Sequence, residues 1–205
     1  MSLGLTVNYY KNGILLAYIA NKIPNIHLRK LLKIIYLLDE HFMLMRGFPL
    51  TWFDYYAWEK GPVAPEVYAV KDGSFHEFVS VGRNGDGKRV VNSVEHNEFR
   101  IYKQMDEFSR SEVDEIDRLL EEYKNRTADE LSDITHVPES LWSKVVKQNN
   151  ITFEKNGGKS ECRIALTLLF DKGDRRLDIF DDAQWNMEFQ AMLNAKRNRR
   201  NVPTA

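Results

Sequence analysis

The sequence predicts a mainly α-helical, compact domain with a small β-hairpin or short sheet, an α+β fold. Three observations predict it. Apolar residues recur at helical spacing through the first fifty positions, two Ser/Thr-x-x-Glu signatures mark helix starts between 109 and 130, and two short β-prone runs are joined by Asn84-Gly85-Asp86-Gly87. No repeat, long linker or low-complexity tract divides the 205 residues, of which 43% are hydrophobic. One shared core is therefore expected.

Taken in order, a first helix is expected after Thr6, where Ile14, Leu15, Tyr18 and Ile19 fall at helical spacing and Pro24 ends the run. The next stripe, Leu28, Leu31, Leu32, Ile35, Leu38 and Phe42, is widened by Ile34, Leu37 and Met45, and Gly47 sits where a C-terminal cap belongs. So broad an apolar face predicts a central helix surrounded by others. The aromatic run Trp52–Trp58 reads as a short strand or ordered loop, broken at Gly61-Pro62. Pro65 suits the first turn of a helix carrying Val67, Tyr68 and Val70 inward.

Phe78–Val81 and Arg89–Val94 are expected to pair as a hairpin, because Asn-Gly and Asp-Gly tolerate positive φ. Ser109-Arg-Ser-Glu112 and Thr127-Ala-Asp-Glu130 have the spacing at which hydroxyl and carboxylate reciprocally cap a helix start. Glu139–Val146, with Leu141, Trp142 and Val145, reads as a further helical turn or two. Asn156-Gly157-Gly158 is a turn, and Arg163–Phe170 is too short for periodicity to divide helix from strand. A closing helix is expected over Ala183–Ala195, with Trp185, Phe189 and Met192 or Leu193 facing the core. Residues 1–150 then form the principal domain, 151–195 an extension packed on it, and 196–205, beginning Lys196-Arg197-Asn198-Arg199-Arg200, a basic flexible tail.

Composition narrows the function. Twenty-nine Lys and Arg stand against 30 Asp and Glu, a net −1, so no bulk attraction to nucleic acid or membrane is expected. Local charge is uneven: residues 1–50 carry +4, while residues 104–139 set twelve carboxylates against four cations. That acidic stretch reads either as a solvated helix face or as a docking surface for a basic partner. The one cysteine, Cys162, excludes an intrachain disulfide framework and reads as a small hydrophobe beside the apolar run. The longest nearly apolar stretch, Gly13 to Ala20, is less than half of the roughly 18 residues a membrane-crossing helix needs. No secretory leader pattern is present, so a cytoplasmic location is expected.

Candidate chemistry is thin. Asp39-Glu40-His41 offers carboxylate and imidazole, but adjacent helical residues point about 100° apart, so Asp39 and His41 do not share a face. An exposed helix edge is the plainer expectation. The histidines His27, His41, His76, His96 and His136 lack metal-ligand spacing. Gly82-Arg-Asn-Gly-Asp-Gly87 lacks the intervals and the Lys-Ser/Thr of a phosphate loop, and no Gly-x-Ser-x-Gly occurs. Neither catalysis nor a cofactor or metal is expected.

Two stretches are more specific: Leu28-Arg-Lys-Leu-Leu-Lys-Ile-Ile-Tyr-Leu-Leu-Asp39, and Tyr56-Ala-Trp-Glu-Lys-Gly-Pro-Val-Ala-Pro-Glu-Val-Tyr68. Together with Leu131-Ser132-Asp-Ile-Thr135-His136 and the later Trp142, they resemble the Panacea domain, the SocA-like antitoxin family, over roughly residues 8 to 146. Lys30, Leu31, Lys33, Tyr36, Ser132, Thr135, His136 and Trp142 carry the motif. Leu32 departs from it, since many relatives have Gln there.

The resemblance implies an antitoxin that neutralises a cognate toxin by direct protein–protein binding, or that delivers it to an AAA+ protease as an adaptor. Such a protein belongs to a bacterial or phage toxin–antitoxin system. The residues themselves agree. Pro62 and Pro65 fix φ, and Gly61 permits a turn beside the bulky Trp58, so the segment forms a rigid corner. Trp58, Pro62, Val63 and Tyr68 either cement strand to helix or present a surface, and the expected partner contacts are Trp52, Tyr55, Trp58, Gly61, Pro62, Val63, Pro65 and Tyr68. Glu115, Glu121 and Glu122 are expected to steer a basic toxin. His136 reads as a histidine joining Thr135 to a neighbouring carbonyl, or as part of that surface.

Two rivals differ in class. A nucleic-acid-binding transcriptional regulator would use Arg29, Lys30 and Lys33, or Arg83, Lys88 and Arg89 of the hairpin; Leu31, Leu32, Ile34 and Ile35 interleave so closely with the first set that the helix is expected to face the core. A hydrolase would need Asp39, His41 and a distant carboxylate.

Overall fold

In the computed structural model, residues 8–154 and 156–200 are described. Helix α1 (Tyr9–Lys22) starts at Asn8, whose side chain accepts the Lys11 N–H at 3.0 Å, two positions beyond the expected Thr6. A carboxamide two residues nearer the apolar run is the better placed cap. Helix α2 (Leu28–Arg46) ends at Gly47, which takes φ 89° as the left-handed cap. Its residues Leu31, Ile34, Ile35, Leu38 and Phe42 are almost wholly buried. It is the central helix, packed against α3 (Pro65–Tyr68), α5 (Arg110–Tyr123), α6 (Ala128–His136) and both sheets.

Two three-stranded antiparallel sheets flank the helices. The first orders β1 (Ile26–His27), β5 (Arg89–Ser93) and β4 (Val79–Arg83), with Ile26 opposite Val91 and Val81 opposite Val91 from the other side. β4 and β5 are the expected hairpin. Of its four turn residues only Gly87 has positive φ, 72°, while Asn84 caps the loop by accepting the N–H groups of Asp86 and Lys88. The sheet packs against α1 so closely that the Phe78 ring fills the space a side chain on Gly13 would occupy.

The second sheet orders β3 (Gly61–Val63), β2 (Tyr55–Trp58) and β6 (Arg163–Ile164). Gly61-Pro62, read from sequence as a break, instead opens β3 after the turn at Glu59-Lys60, so that Ala57 faces Pro62 and Tyr56 faces Val63. Proline is tolerated because β3 is an edge. Cys162 is partly buried against the core, and its carbonyl accepts the Ala57 N–H at 2.9 Å. The undecided run 163–170 becomes β6 followed by a 3-10 turn over Leu166–Leu169.

Helix α3 (Pro65–Tyr68) opens on its proline, and Val67 and Val70 are buried while Tyr68 is half-buried. A short helix α4 (Glu98–Gln104), capped by Asn97, is an addition to the expected elements. Helices α5 (Arg110–Tyr123) and α6 (Ala128–His136) both start in complete capping boxes at Ser109/Glu112 and Thr127/Glu130. Helix α7 (Leu141–Gln148) is capped by Ser140, with Leu141 and Val145 buried.

The last helix, α8 (Arg175–Arg200), corrects the expectation most. It starts eight residues before Ala183, because Arg176 anchors its first turn: the guanidinium binds both carboxylate oxygens of Asp174 and donates to the Leu44 carbonyl at 2.9 Å. Leu177 and Phe180 pack on the core, whereas Trp185, Phe189 and Met192, expected inside, are exposed. The side chain of Leu193 lies outside the described residues. Of the basic segment 196–205, the first five residues continue α8 and 201–205 lie outside the described residues. Among the described residues no helix is long and apolar enough to cross a membrane.

Candidate partner-binding site at the Gly61 bend

The three sequence segments that carry the resemblance meet at one point. Gly61 takes φ 104°, a backbone region open to glycine at little cost. A Cβ built there would lie 2.0 Å from Lys33 Nζ of α2, 3.0 Å from Thr135 Oγ1 and 2.9 Å from His136 Cε1 of α6. Amine, hydroxyl and imidazole thus enclose the bend from two helices. His136 Nδ1 lies 2.5 Å from the Ser132 carbonyl and 3.1 Å from Thr135 Oγ1, so it joins Thr135 to that carbonyl as the sequence suggests.

Lys33 is the unusual member. It is 1% exposed, and among the described residues its ammonium has no hydrogen-bond partner. Burial, with a smaller push from Arg29, drives its pKa down to about 7. Its neighbour Lys30 also turns inward, donating to the Lys124 carbonyl at 2.6 Å, and Arg29 pairs with Asp129 at 2.5 Å. Lys30 and Lys33 are thus turned inward, while Arg29 is paired at the surface. Leu31 is core, and Tyr36 donates to Glu40 at 2.8 Å.

On the outer side of the bend runs a ridge of half-buried aromatic rings. Trp58 and Tyr68 meet edge to face at 5.0 Å, with Lys159 Nζ lying 4.9 and 5.3 Å from their ring centres. Trp142 Nε1 donates to the Trp58 carbonyl at 2.8 Å, its ring lies 4.0 Å from His136, and it stacks on Phe153 at 5.9 Å. Each of these rings is therefore held by the fold and only partly exposed. Val137, exposed, lies directly after His136.

The structure divides the expected contact residues. Trp58, Pro65 and Tyr68 are half-buried at the bend, whereas Tyr55, Gly61, Pro62 and Val63 are buried in it. Trp52 lies elsewhere, between Phe48 and Phe180, beside an open cleft of about 120 Å³ lined also by Pro49, Phe53, Arg163 and Leu166. Glu115, Glu121 and Glu122 belong to α5. Glu115 is held below the usual carboxylate range by hydrogen bonds from Arg118, and its Oε1 lies 2.6 Å from His41 Nε2. Glu121 pairs with Lys124 at 2.5 Å and Glu122 with Arg118 and Arg126 at 3.8 Å. Sequence reasoning does not find Phe153 and Lys159, because both lie in the irregular 149–162 connection where no periodicity points inward or outward.

Asp39 is a correction: expected at an exposed helix edge, it is completely buried. Its carboxylate accepts the N–H groups of Leu50 and Thr51 at 2.8 Å, the Thr51 hydroxyl, and the Tyr55 hydroxyl at 2.7 Å. It clamps the loop leading into β2, while His41 faces α5, so the two do not meet. Among the described residues no group of His, Cys, Asp or Glu side chains could hold a metal ion.

The family model for "Antitoxin SocA-like, Panacea domain" matches residues 31–143, a span that runs from the first turn of α2 through the bend and α3 to α6 and ends in the first turn of α7. No curated protein and no solved structure matches the chain.

Proposed function

The chain belongs to the SocA-like antitoxin family defined by the Panacea domain, and from that membership we propose that it neutralises a cognate toxin by direct protein–protein binding at the Gly61 bend. The observation that carries the reading is the convergence of the family segments on one rigid corner with a ridge of half-buried aromatic rings. Trp and Tyr that are braced on one side bury large area at little entropic cost, which is what binding anchors need. The acidic face of α5, with Glu121 and Glu122, steers a basic toxin toward the ridge. Binding of this kind requires no catalytic group. The same complex serves as the loaded state if the toxin is passed to an AAA+ protease.

The nucleic-acid alternative has less to work with. Lys30 and Lys33 are turned into the core and Arg29 is ion-paired, leaving Arg83, Lys88 and Arg89 at the exposed hairpin without the aromatic interleaving that single-strand binding uses.

Mixing the purified chain with the products of neighbouring genes tests the proposal by size-exclusion chromatography and calorimetry. A stoichiometric complex is expected with one of them. Tyr68→Ala is expected to weaken it about fivefold or more while leaving the unfolding midpoint within a few degrees, since truncating an interface aromatic costs about 1 kcal/mol or more. Absence of a complex with every neighbouring product removes the reading, and an unchanged Kd for Tyr68→Ala moves the site away from the bend.

A further inference from the structure

The outward side of α8 has a pattern that the packing of its inner side does not require. Asp178, Asp182, Trp185, Phe189, Met192, Lys196 and Arg199 follow one another at intervals alternating between four and three. Such intervals keep a line of positions on one side of a helix, the spacing by which two helices pack along a seam. Asp181 and Arg200 fall beside the same line. At its middle, Trp185 is 62% exposed, Phe189 38% and Met192 45%, and the Trp185 and Phe189 rings stack with centroids 5.3 Å apart and an interplanar angle of 7°. In sequence, this line of helix positions runs from acidic through apolar to basic.

We propose that α8 is a self-association surface, on which a second copy of this chain lays its own α8 antiparallel about a two-fold axis near Phe189. The order of charges selects both partner and direction. In a parallel pair Asp178, Asp181 and Asp182 would oppose their own copies, and so would Lys196, Arg199 and Arg200. In the antiparallel pair each acidic end lies along the basic end of the other helix, with position 182 near 196, 181 near 197 and 178 near 200. The apolar ridge then covers itself. A two-fold interface is self-complementary in just this sense, each residue type meeting its counterpart twice. The helix dipole alone does not account for the pattern, because it acts within the first and last turns and places no demand on which side of the helix the charges lie. At 26 residues α8 is about 39 Å long, enough for three heptads of contact.

Sedimentation and light scattering of the full chain over about 1 to 100 µM test the proposal. A concentration-dependent dimer is expected. Phe189→Glu weakens it by about tenfold or more, as does reversal of Asp178, Asp181 and Asp182 to Lys. A chain with Lys196, Arg199 and Arg200 reversed to Glu is likewise monomeric alone, yet forms a heterodimer when mixed with the Asp-to-Lys chain. That restoration distinguishes lost pairing from lost folding. A wild-type chain monomeric at about 100 µM, a dimer indifferent to these changes, a mixture that stays monomeric, or a ridge whose loss affects only toxin binding overturns the proposal.

Discussion

Lys33 is where burial and charge conflict most directly. Its amine occupies the space beside Gly61 without a hydrogen-bond partner among the described residues, and desolvation drives its pKa from 10.5 to about 7. A base whose pKa falls on folding releases its proton in the native state. Between pH 7 and 10.5 the unfolded chain therefore binds more protons than the folded one, so stability rises with pH across that window and is lost as pH falls from its top to about 7. Lys33→Met keeps the packing volume and removes the titration. Between pH 7 and 9 the wild type is expected to gain about 2 kcal/mol relative to this variant, measured by urea unfolding at both pH values. A difference constant with pH would show that the amine stays charged and paired. Nothing in the spacing of Lys33 reveals this setting, since by periodicity it resembles any cation on the flank of an apolar stripe. Asp39 misleads in the same way: its neighbours suggest an edge, and only the loop at Leu50 and Thr51 folding back explains its burial.

Helix starts were legible because a capping box is a local device. At α5 the Glu112 N–H donates to Ser109 Oγ at 3.3 Å and the Ser109 N–H to Glu112 Oε2 at 2.7 Å, and α6 repeats the arrangement with Thr127 and Glu130. Ser109→Ala and Thr127→Ala are each expected to cost about 1 kcal/mol in denaturant unfolding. Because the two caps open different helices and share no partner, the double variant should lose the sum within about 0.5 kcal/mol. A clear departure from additivity would mean that the two helix starts are energetically coupled. Where an element depends on a distant one, the sequence is silent. β1 and β6 are two residues long and exist through their pairing with β5 and β2, and β3 holds a Gly-Pro that by itself signals a break.

For the molecule as a whole, a net charge of −1 conceals a separation of sign. Lys30 and Lys33 of α2 are buried and Arg29 is ion-paired at the surface, whereas α5 presents an acidic face. Glu121→Lys together with Glu122→Lys is expected to slow association with a basic toxin several-fold at low ionic strength, with the difference shrinking as salt approaches about 1 M, where the Debye length is about 3 Å. Stopped-flow rates at several salt concentrations measure it. Rates that do not respond to salt would remove steering by α5 while leaving the aromatic ridge untouched.

From the sequence by itself came the helical class, the central α2 helix, the hairpin, both capping boxes and the family motif, because each depends on residues near one another along the chain. Only the tertiary structure decided that Gly61, Lys33, Thr135 and His136 meet at one bend, that Asp39 is buried, and that Trp185, Phe189 and Met192 of α8 are exposed. An amphipathic pattern states that a helix has an apolar side; what covers that side depends on the position of every other element, which chain-local spacing does not encode.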